Sequence, residues 1–162
     1  MLSEQHDRAA FACGTEALDR YLRTQATQDI RRRVATCFAA VEVATGRLAA
    51  YYTIAAASIP TPQLPPEMTK RLPRYPTLPT VRIGRLAVDL QFRRRGLGAA
   101  MLADAAGRAS RSPPAVFALL VDAKNDDAVA FYRRYGFQSL ASQPRTLFLP
   151  MATAEKALLG HQ

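Results

Sequence analysis

Three arginines and two glycines stand together where an apolar run, "RLAVDL", gives way to a helical pattern: Arg93, Arg94, Arg95, Gly96 and Gly98. Glycine lets a ligand approach the main chain closely, because it has no Cβ. The first N–H groups of a helix have no intrahelical partner and lie at the positive end of the helix dipole. Together these features predict a cradle for a diphosphate, to which the arginines add positive charge.

Two common phosphate-binding patterns do not fit this stretch. The P-loop pattern G-x-x-x-x-G-K-[ST] needs a lysine and a hydroxyl residue that the chain lacks here, and the dinucleotide pattern G-x-G-x-x-G needs a third glycine where Met101 stands. The spacing that is present is Arg93-x-x-Gly96-x-Gly98, directly after a predicted strand. A helix start relieved by glycine beside a solvated basic cluster is the simpler alternative.

Hydrophobic periodicity and turn residues predict the elements that position this stretch. Seven of the eleven prolines fall within residues 60–79, so that segment is predicted to be irregular apart from one helical turn near 67–72. The order of elements predicts a mixed sheet with helices packed on it, in one domain over residues 1–162. The predicted helices are 15–30, 96–109, 125–135 and 152–159, and the predicted strands are 34–43, 48–59, 81–89, 116–121, 137–140 and 146–149.

Composition narrows the functional class. The net charge of +9 comes almost wholly from arginine, which favours a polyanionic partner such as nucleic acid, a phosphorylated cofactor or an acidic protein, although a GC-rich genome produces the same excess. Cys13 and Cys37 are isolated, so we expect neither a disulfide nor a metal site. His6 and His161 lie near the chain ends and are poor catalytic candidates. We expect no membrane span and a cytoplasmic location.

The spacing Arg93-x-x-Gly96-x-Gly98 resembles the acetyl-CoA loop of the GNAT acetyltransferase superfamily, [Q/R]-x-x-G-x-[G/A]. Three more stretches resemble that family in the same order: "RIGRLAVD", "VFALLVDAKNDDAVAFYRRYGF" and "TLFLPM". The resemblance implies an α/β fold of mixed α+β type. Its central mixed, mostly antiparallel sheet has a V-shaped splay and is flanked by helices.

The chain also resembles one branch of this superfamily, the GNAT-type toxins of type II toxin–antitoxin modules. The stretches that carry this resemblance are "FACGTEALDRYL", "IGRLAVD" after a proline-containing loop, "AFYRRYGF" and "LFLPM". It implies acetyl transfer from acetyl-CoA to the α-amino group of aminoacyl-tRNA, which stops translation. It also implies a ribbon-helix-helix antitoxin as partner and a homodimer.

The resemblance assigns roles to individual residues. It makes Tyr132 the general acid that protonates the departing sulfur of coenzyme A, although a tyrosine on a helix is often simply a core residue. Asn125 is either a helix cap or a cofactor ligand, and Phe131 is either a cofactor contact or a packing residue. The resemblance implies that residues 86–88 bind acetyl-CoA through their main chain. The full set of residues expected to hold acetyl-CoA is Leu86, Ala87, Val88, Arg93, Arg94, Arg95, Gly96, Gly98, Ala99, Asn125 and Phe131.

The acceptor side is less defined by the sequence. The strand "VRIGRLAV" has no glutamate that could act as a base, and Asp89 is expected to order the loop rather than to remove a proton. Without a strong base, an acceptor amine of low pKa is favoured, because much of it is already neutral. Aromatic residues are sparse among the basic ones, so base stacking is not indicated. Two alternatives remain: a GNAT enzyme for protein N-termini or a small amine, and an inactive binding partner of a DNA-binding antitoxin. The candidate tRNA-binding residues are Arg31, Arg32, Arg33, Arg74, Arg82 and Arg85.

Overall fold

The computed structural model describes residues 1–159, which contain six helices and six strands besides shorter helical turns. The helices are α1 (Glu16–Thr24), α2 (Ala26–Arg31), α3 (Pro66–Thr69), α4 (Leu97–Ser110), α5 (Asp126–Arg134) and α6 (Met151–Ala154). The strands are β1 (Thr36–Val41), β2 (Leu48–Pro60), β3 (Thr77–Val88), β4 (Ala118–Asp122), β5 (Gln138–Leu140) and β6 (Gln143–Pro150). Short 3₁₀ turns cover Thr61–Gln63 and Leu90–Phe92, and a π-helical turn covers Glu155–Leu159.

The strands form one sheet in the order β1-β2-β3-β4-β6-β5. β1 pairs antiparallel with β2, and β6 pairs antiparallel with both β4 and β5. β3 and β4 are parallel, with Thr80 opposite Ala118 and Ile83 opposite Val121, and α4 lies in the connection that a parallel pair needs. The predicted mixed, mostly antiparallel sheet with flanking helices is confirmed.

The first of two compact units comprises Met1–Ala55 and Gly84–Asp104. Its core gathers Phe11, Tyr21 and Tyr51 with neighbouring aliphatic side chains. The rings of Phe11 and Tyr51 meet edge to face at 5.5 Å, and the Tyr51 hydroxyl donates to the main-chain oxygen of Leu18 at 2.6 Å. These contacts hold α1 against β2.

The second unit comprises Ala56–Ile83 and the residues from Ala105 onward. Its core contains Ile59, Leu78, Leu120 and Phe148, all almost fully buried. Because Leu120 lies opposite Phe148, the core is built on the pairing of β4 with β6. Within residues 1–159, no helix has the length and apolar composition needed to cross a bilayer.

The helix predicted over 15–30 is wrong in its continuity, because the chain breaks at Gln25, whose φ is −127°. Both halves stay on one apolar stripe: Ala26 is fully buried, and the Tyr21 hydroxyl donates to Asp29 Oδ2 at 2.8 Å. The periodicity therefore continues across the break. Thr15 occupies the N-cap position of α1, although its side chain makes no capping hydrogen bond.

The strand predicted to begin at residue 81 begins instead at Thr77 and includes Pro79. A proline has no N–H for a sheet ladder, but its carbonyl still accepts, and Pro79 takes a bond of 2.8 Å from the Phe117 main-chain nitrogen. The predicted irregularity of residues 60–79 is thus correct only for residues 61–76, because Pro60 still belongs to β2. Within that segment, Pro66–Thr69 forms one α-helical turn and Thr61–Gln63 forms a 3₁₀ turn.

Replacing Gly136 with alanine is expected to destabilise the protein. Gly136 ends α5 with φ +95°, and an added Cβ would lie 3.4 Å from Leu149 Cδ1. We expect Gly136→Ala to lower the free energy of unfolding by about 1–3 kcal/mol, because alanine is strained in the left-handed region. Gly107→Ala, inside α4, is the control: its Cβ would lie 3.1 Å from the end of the exposed Arg111 side chain, which can move aside, so this change should raise the free energy of unfolding by about 0.5–1 kcal/mol. Urea unfolding measures both; equal effects of one sign would contradict this account.

Candidate active site

The end of β3 presents alternate side chains to opposite faces. Ala87 is buried in the core of the first unit, whereas Leu86 and Val88 are half-buried. This is the ordinary alternation of a strand, in which neighbouring side chains point to opposite sides. The Ala87 side chain thus serves the core, and the main-chain role expected for residues 86–88 stays a prediction.

Asp89 fixes the turn that follows β3. Its carboxylate is 2% exposed, Oδ1 accepts from the Gln91 main-chain nitrogen at 2.9 Å, and Oδ2 accepts from the Ala12 nitrogen at 3.0 Å. The main chain then makes one 3₁₀ turn over Leu90–Phe92. The prediction that Asp89 orders the loop is confirmed.

The arginine–glycine loop, residues 93–98, takes the main chain from that turn into α4. Arg94 and Gly96 have φ values of +63° and +76°, and α4 begins at Leu97. The position that a Cβ would occupy at Gly96 has no heavy atom within 4 Å, so the space beside this main chain is open. An open surface at a helix start, where N–H groups lack intrahelical partners, fits a diphosphate.

The three arginines of this loop have different surroundings. Arg93 Nη2 donates to the Cys13 main-chain oxygen at 2.6 Å. Arg95 lies over the Phe92 ring at 5.2 Å, with Nη1 4.0 Å from Glu42 Oε2. Arg94 is exposed. Gly98 and Ala99, in the first turn of α4, are half-buried.

Asn125 and the residues after it start α5 in the second unit. Asn125 Oδ1 accepts from the Ala128 main-chain nitrogen at 2.9 Å, which is a helix N-cap. Of the two roles that the sequence left open for Asn125, the structure displays the cap. Asp126 and Asp127 occupy the first turn, where negative charge stabilises the helix dipole.

Tyr132 lies on the buried face of α5 and is 7% exposed. Its ring meets Phe131 at 5.2 Å and Phe137 at 5.4 Å, both edge to face. Burial, with a smaller contribution from the Asp122 carboxylate, raises the pKa of the Tyr132 phenol to about 12. The phenol is therefore a proton-bearing group throughout the physiological range. Phe131 also meets the Tyr135 ring at 5.3 Å and so serves packing within α5.

The six arginines predicted to bind tRNA fall into two groups. Arg82 pairs with Asp122, and the Arg85 guanidinium lies 3.6 Å above the Tyr21 ring, so both are engaged within the fold. The other four are exposed, although one of them, Arg31, pairs with Glu4: Arg31, Arg32, Arg33 and Arg74. His161 lies outside the described residues. His6 Nδ1 accepts from the Ser3 main-chain nitrogen at 2.9 Å in an exposed turn.

One contact was missed from the sequence: Ala12 and Cys13 are hydrogen-bonded to the turn after β3 and to Arg93. Two residues could have indicated this contact from the sequence: Gly14, the glycine of "FACG", and Asp89, the aspartate directly after β3. Neither signal identifies the other as its partner, because the two segments are far apart in the chain.

Comparison with known proteins adds independent information. The family described as acetyltransferase (GNAT) domain matches residues 73–153. A protein named tRNA-acetylating toxin from Mycobacterium tuberculosis (strain ATCC 25618 / H37Rv) is 33% identical over 161 residues, 98% of this chain and 94% of that protein. A protein named probable toxin TacT from Sinorhizobium fredii (strain NBRC 101917 / NGR234) is 31% identical over 165 residues, 96% of this chain and 91% of that protein.

Solved structures are similar over the same extent. The toxin AtaT complexed with acetyl-methionyl-tRNAfMet has a TM-score of 0.87 and 27% identity, covering 94% of this chain and 92% of that one. A mutant of AtaT bound to the C-terminus of the antitoxin AtaR and acetyl-CoA has a TM-score of 0.79 and 25% identity, covering 99% and 96%. With the loop at the start of α4 and near full-length similarity to an acetylating toxin, the chain belongs to the GNAT acetyltransferase family.

Proposed function

We propose that this protein is an acetyl-CoA-dependent N-acetyltransferase that acetylates the α-amino group of aminoacyl-tRNA and so inhibits translation as a toxin. The observation that carries the proposal is the 33% identity, over 98% of the chain, to a protein named for acetylating tRNA. Residues 1–162 act as a single acetyltransferase domain in this proposal, in the cytoplasm, where charged tRNA is found.

The end of β3 and the start of α4 form the proposed binding site for acetyl-CoA. The N–H groups at the start of α4, next to Gly96 and Gly98, bind the diphosphate, and the main chain of residues 86–88 pairs with the pantetheine arm as an added strand would. Arg94 is exposed and adds positive charge. When bound, acetyl-CoA supplies an acetyl group activated as a thioester.

Tyr132 holds the proton that the departing sulfur needs. The bond between the amine nitrogen and the acetyl carbon forms as the carbon–sulfur bond breaks, and the phenol donates toward the sulfur. Because its pKa is raised to about 12, the phenol stays protonated at the pH of the cell. Its packing between Phe131 and Phe137 fixes the ring.

An α-amino group suits this chain as the acceptor. Its ordinary pKa is about 8, so a substantial fraction is already neutral near pH 7.5, whereas a lysine side chain with a pKa of about 10.4 is almost wholly charged. β3, "TLPTVRIGRLAV", contains no acidic residue that could remove a proton. The proposed substrate therefore needs little help from a base.

The exposed arginines Arg31–Arg33 and Arg74 are proposed to bind the tRNA backbone. Guanidinium groups bind phosphate in a bidentate manner, and each neutralised phosphate strengthens binding at low salt. We also propose a ribbon-helix-helix antitoxin as partner and a homodimer. The antitoxin is supported by the complex of AtaT with the C-terminus of AtaR.

Charged tRNA is expected to be the preferred acceptor. The purified protein, incubated with radiolabelled acetyl-CoA, should label aminoacyl-tRNA and leave deacylated tRNA unlabelled, because only the former has a free α-amine. Peptides with free N-termini and polyamines serve as competing acceptors in parallel reactions. Labelling of a peptide or polyamine while charged tRNA stays unlabelled would replace this proposal with the corresponding enzyme.

Tyr132→Phe is expected to remove catalysis and leave binding intact. Loss of a positioned proton donor lowers kcat by about 10²- to 10⁴-fold, while the ring and its packing are retained. Steady-state kinetics gives kcat, and calorimetry gives the affinity for acetyl-CoA, which should stay within about twofold of wild type. Tyr135→Phe, on the same helix and half-buried, is the matched control and should keep full activity. An unchanged kcat in Tyr132→Phe removes the residue from the mechanism.

The dependence of kcat/KM on pH should show a rise and no subsequent fall. We expect kcat/KM to rise with pH as the acceptor amine deprotonates near pH ~8 and then to level off. No fall should follow up to about pH 9, because the pKa of Tyr132 is raised to about 12 and the phenol keeps its proton. A descending limb below pH ~9 that persists in acceptors of different pKa would show that a more acidic group donates the proton.

A further inference from the structure

Residues 12–14, called here the N-terminal strap, make three hydrogen bonds to residues 89–93, two of them to the turn after β3 and one to the first residue of the arginine–glycine loop. The Ala12 nitrogen donates to Asp89 Oδ2 at 3.0 Å, and the Ala12 oxygen accepts from the Leu90 nitrogen at 2.9 Å. The Cys13 oxygen accepts from Arg93 Nη2 at 2.6 Å. The strap therefore contacts the chain at the end of β3 and again where the loop begins.

The strap is itself fixed to α1. The Cys13 nitrogen donates to Asp19 Oδ1 at 2.9 Å, and Asp19 is 7% exposed. Both main-chain groups of Cys13 are thus engaged, one by α1 and the other by Arg93. A continuous set of hydrogen bonds links Asp19, Cys13 and Arg93, so the loop is held relative to a helix distant from it in sequence.

Gly14 lets Arg93 reach the strap. Its φ is +92°, and an added Cβ would lie 3.3 Å from Arg93 Nη2 and 3.5 Å from Leu90 Cδ2. A side chain here would strain the main chain and press on the guanidinium. The glycine therefore provides the close approach that the bond from Arg93 to Cys13 requires.

We propose that Arg93 is a positioning residue, which fixes the main chain of the loop through the Cys13 carbonyl, and that the strap thereby sets the affinity for the diphosphate of coenzyme A. The identity of that ligand rests on the proposed function. Several N–H groups must meet a diphosphate at once, so a loop fixed beforehand binds it more tightly than one that must be ordered on binding. Arg93 then acts on its own loop, whereas the sequence assigned it to the ligand.

Gly14→Ala and Gly46→Ala form a matched pair for testing this proposal. Gly46 has φ +73°, but an added Cβ there meets nothing within 4 Å, so both variants strain a left-handed residue and only Gly14→Ala presses on Arg93. Calorimetry of the full chain with acetyl-CoA and no acceptor should show about tenfold weaker binding for Gly14→Ala and a change within about twofold for Gly46→Ala. At saturating acetyl-CoA, kcat of Gly14→Ala should stay within about threefold of wild type. Equal weakening in the two variants overturns the proposal.

A double-mutant cycle separates positioning from direct contact. If Arg93 acts through the strap, Gly14→Ala and Arg93→Ala remove the same interaction, and the double variant binds acetyl-CoA about as weakly as the weaker single variant. If Arg93 contacts the diphosphate independently of the strap, the two fold-changes multiply, and the proposal is wrong.

Hydrogen exchange of the ligand-free protein tests the strap without any ligand. Arg93→Ala should speed amide exchange at Ala12 and Leu90, because these two amides are hydrogen-bonded between the strap and the turn after β3. Unchanged exchange overturns the proposal. Absence of acetyl-CoA binding in the wild-type protein would count against the proposed function instead, and this exchange measurement would still decide the role of the strap.

Discussion

The buried carboxylate of Asp89 is the interaction on which the loop at the start of α4 depends. A carboxylate that is 2% exposed is costly unless its oxygens are hydrogen-bonded, and here each oxygen accepts a main-chain N–H. One of these N–H groups belongs to the turn at Gln91 and the other to the strap at Ala12. A single side chain thus ends β3, sets the turn and joins it to the N-terminal segment. Because the arginine–glycine loop follows this turn directly, the hydrogen bonds of Asp89 help to orient the N–H groups at the start of α4.

The arginine content overstates the number of guanidinium groups that are available to bind a polyanion. Arg93 is bonded to a main-chain oxygen, Arg85 stacks on Tyr21 and Arg82 pairs with Asp122. A planar guanidinium suits such places, because it can stack on a ring and donate in a fixed direction, and it is more weakly hydrated than an ammonium group. Part of the arginine excess therefore serves the structure. The proposed binding of nucleic acid depends on other, exposed arginines, Arg31–Arg33 and Arg74.

The sequence predicted what local rules decide. The start of α4 and both ends of α5 depend on residues within one turn, and they lie within one residue of the predicted bounds, with Asn125 in one of its two predicted roles. The break at Gln25 has no glycine or proline to mark it, and the apolar stripe continues past it. The joint between Ala12 and Asp89 spans 77 residues, so no local pattern encodes it. The loop could thus be found from sequence, and its support could not.

The environment that keeps a proton on Tyr132 also limits how that proton can be used. The pKa of its phenol is raised to about 12, whereas an ordinary thiol has a pKa near ~8.5, so complete transfer to the departing sulfur is uphill. A hydrogen bond from the phenol, strengthening as negative charge develops on sulfur, stabilises the transition state without complete transfer. The amine releases a proton as its new bond forms, which balances the proton that the thiol finally holds. The burial of Tyr132 therefore favours a phenol that stabilises the departing sulfur through a hydrogen bond. It disfavours a phenol that protonates the sulfur early in the reaction.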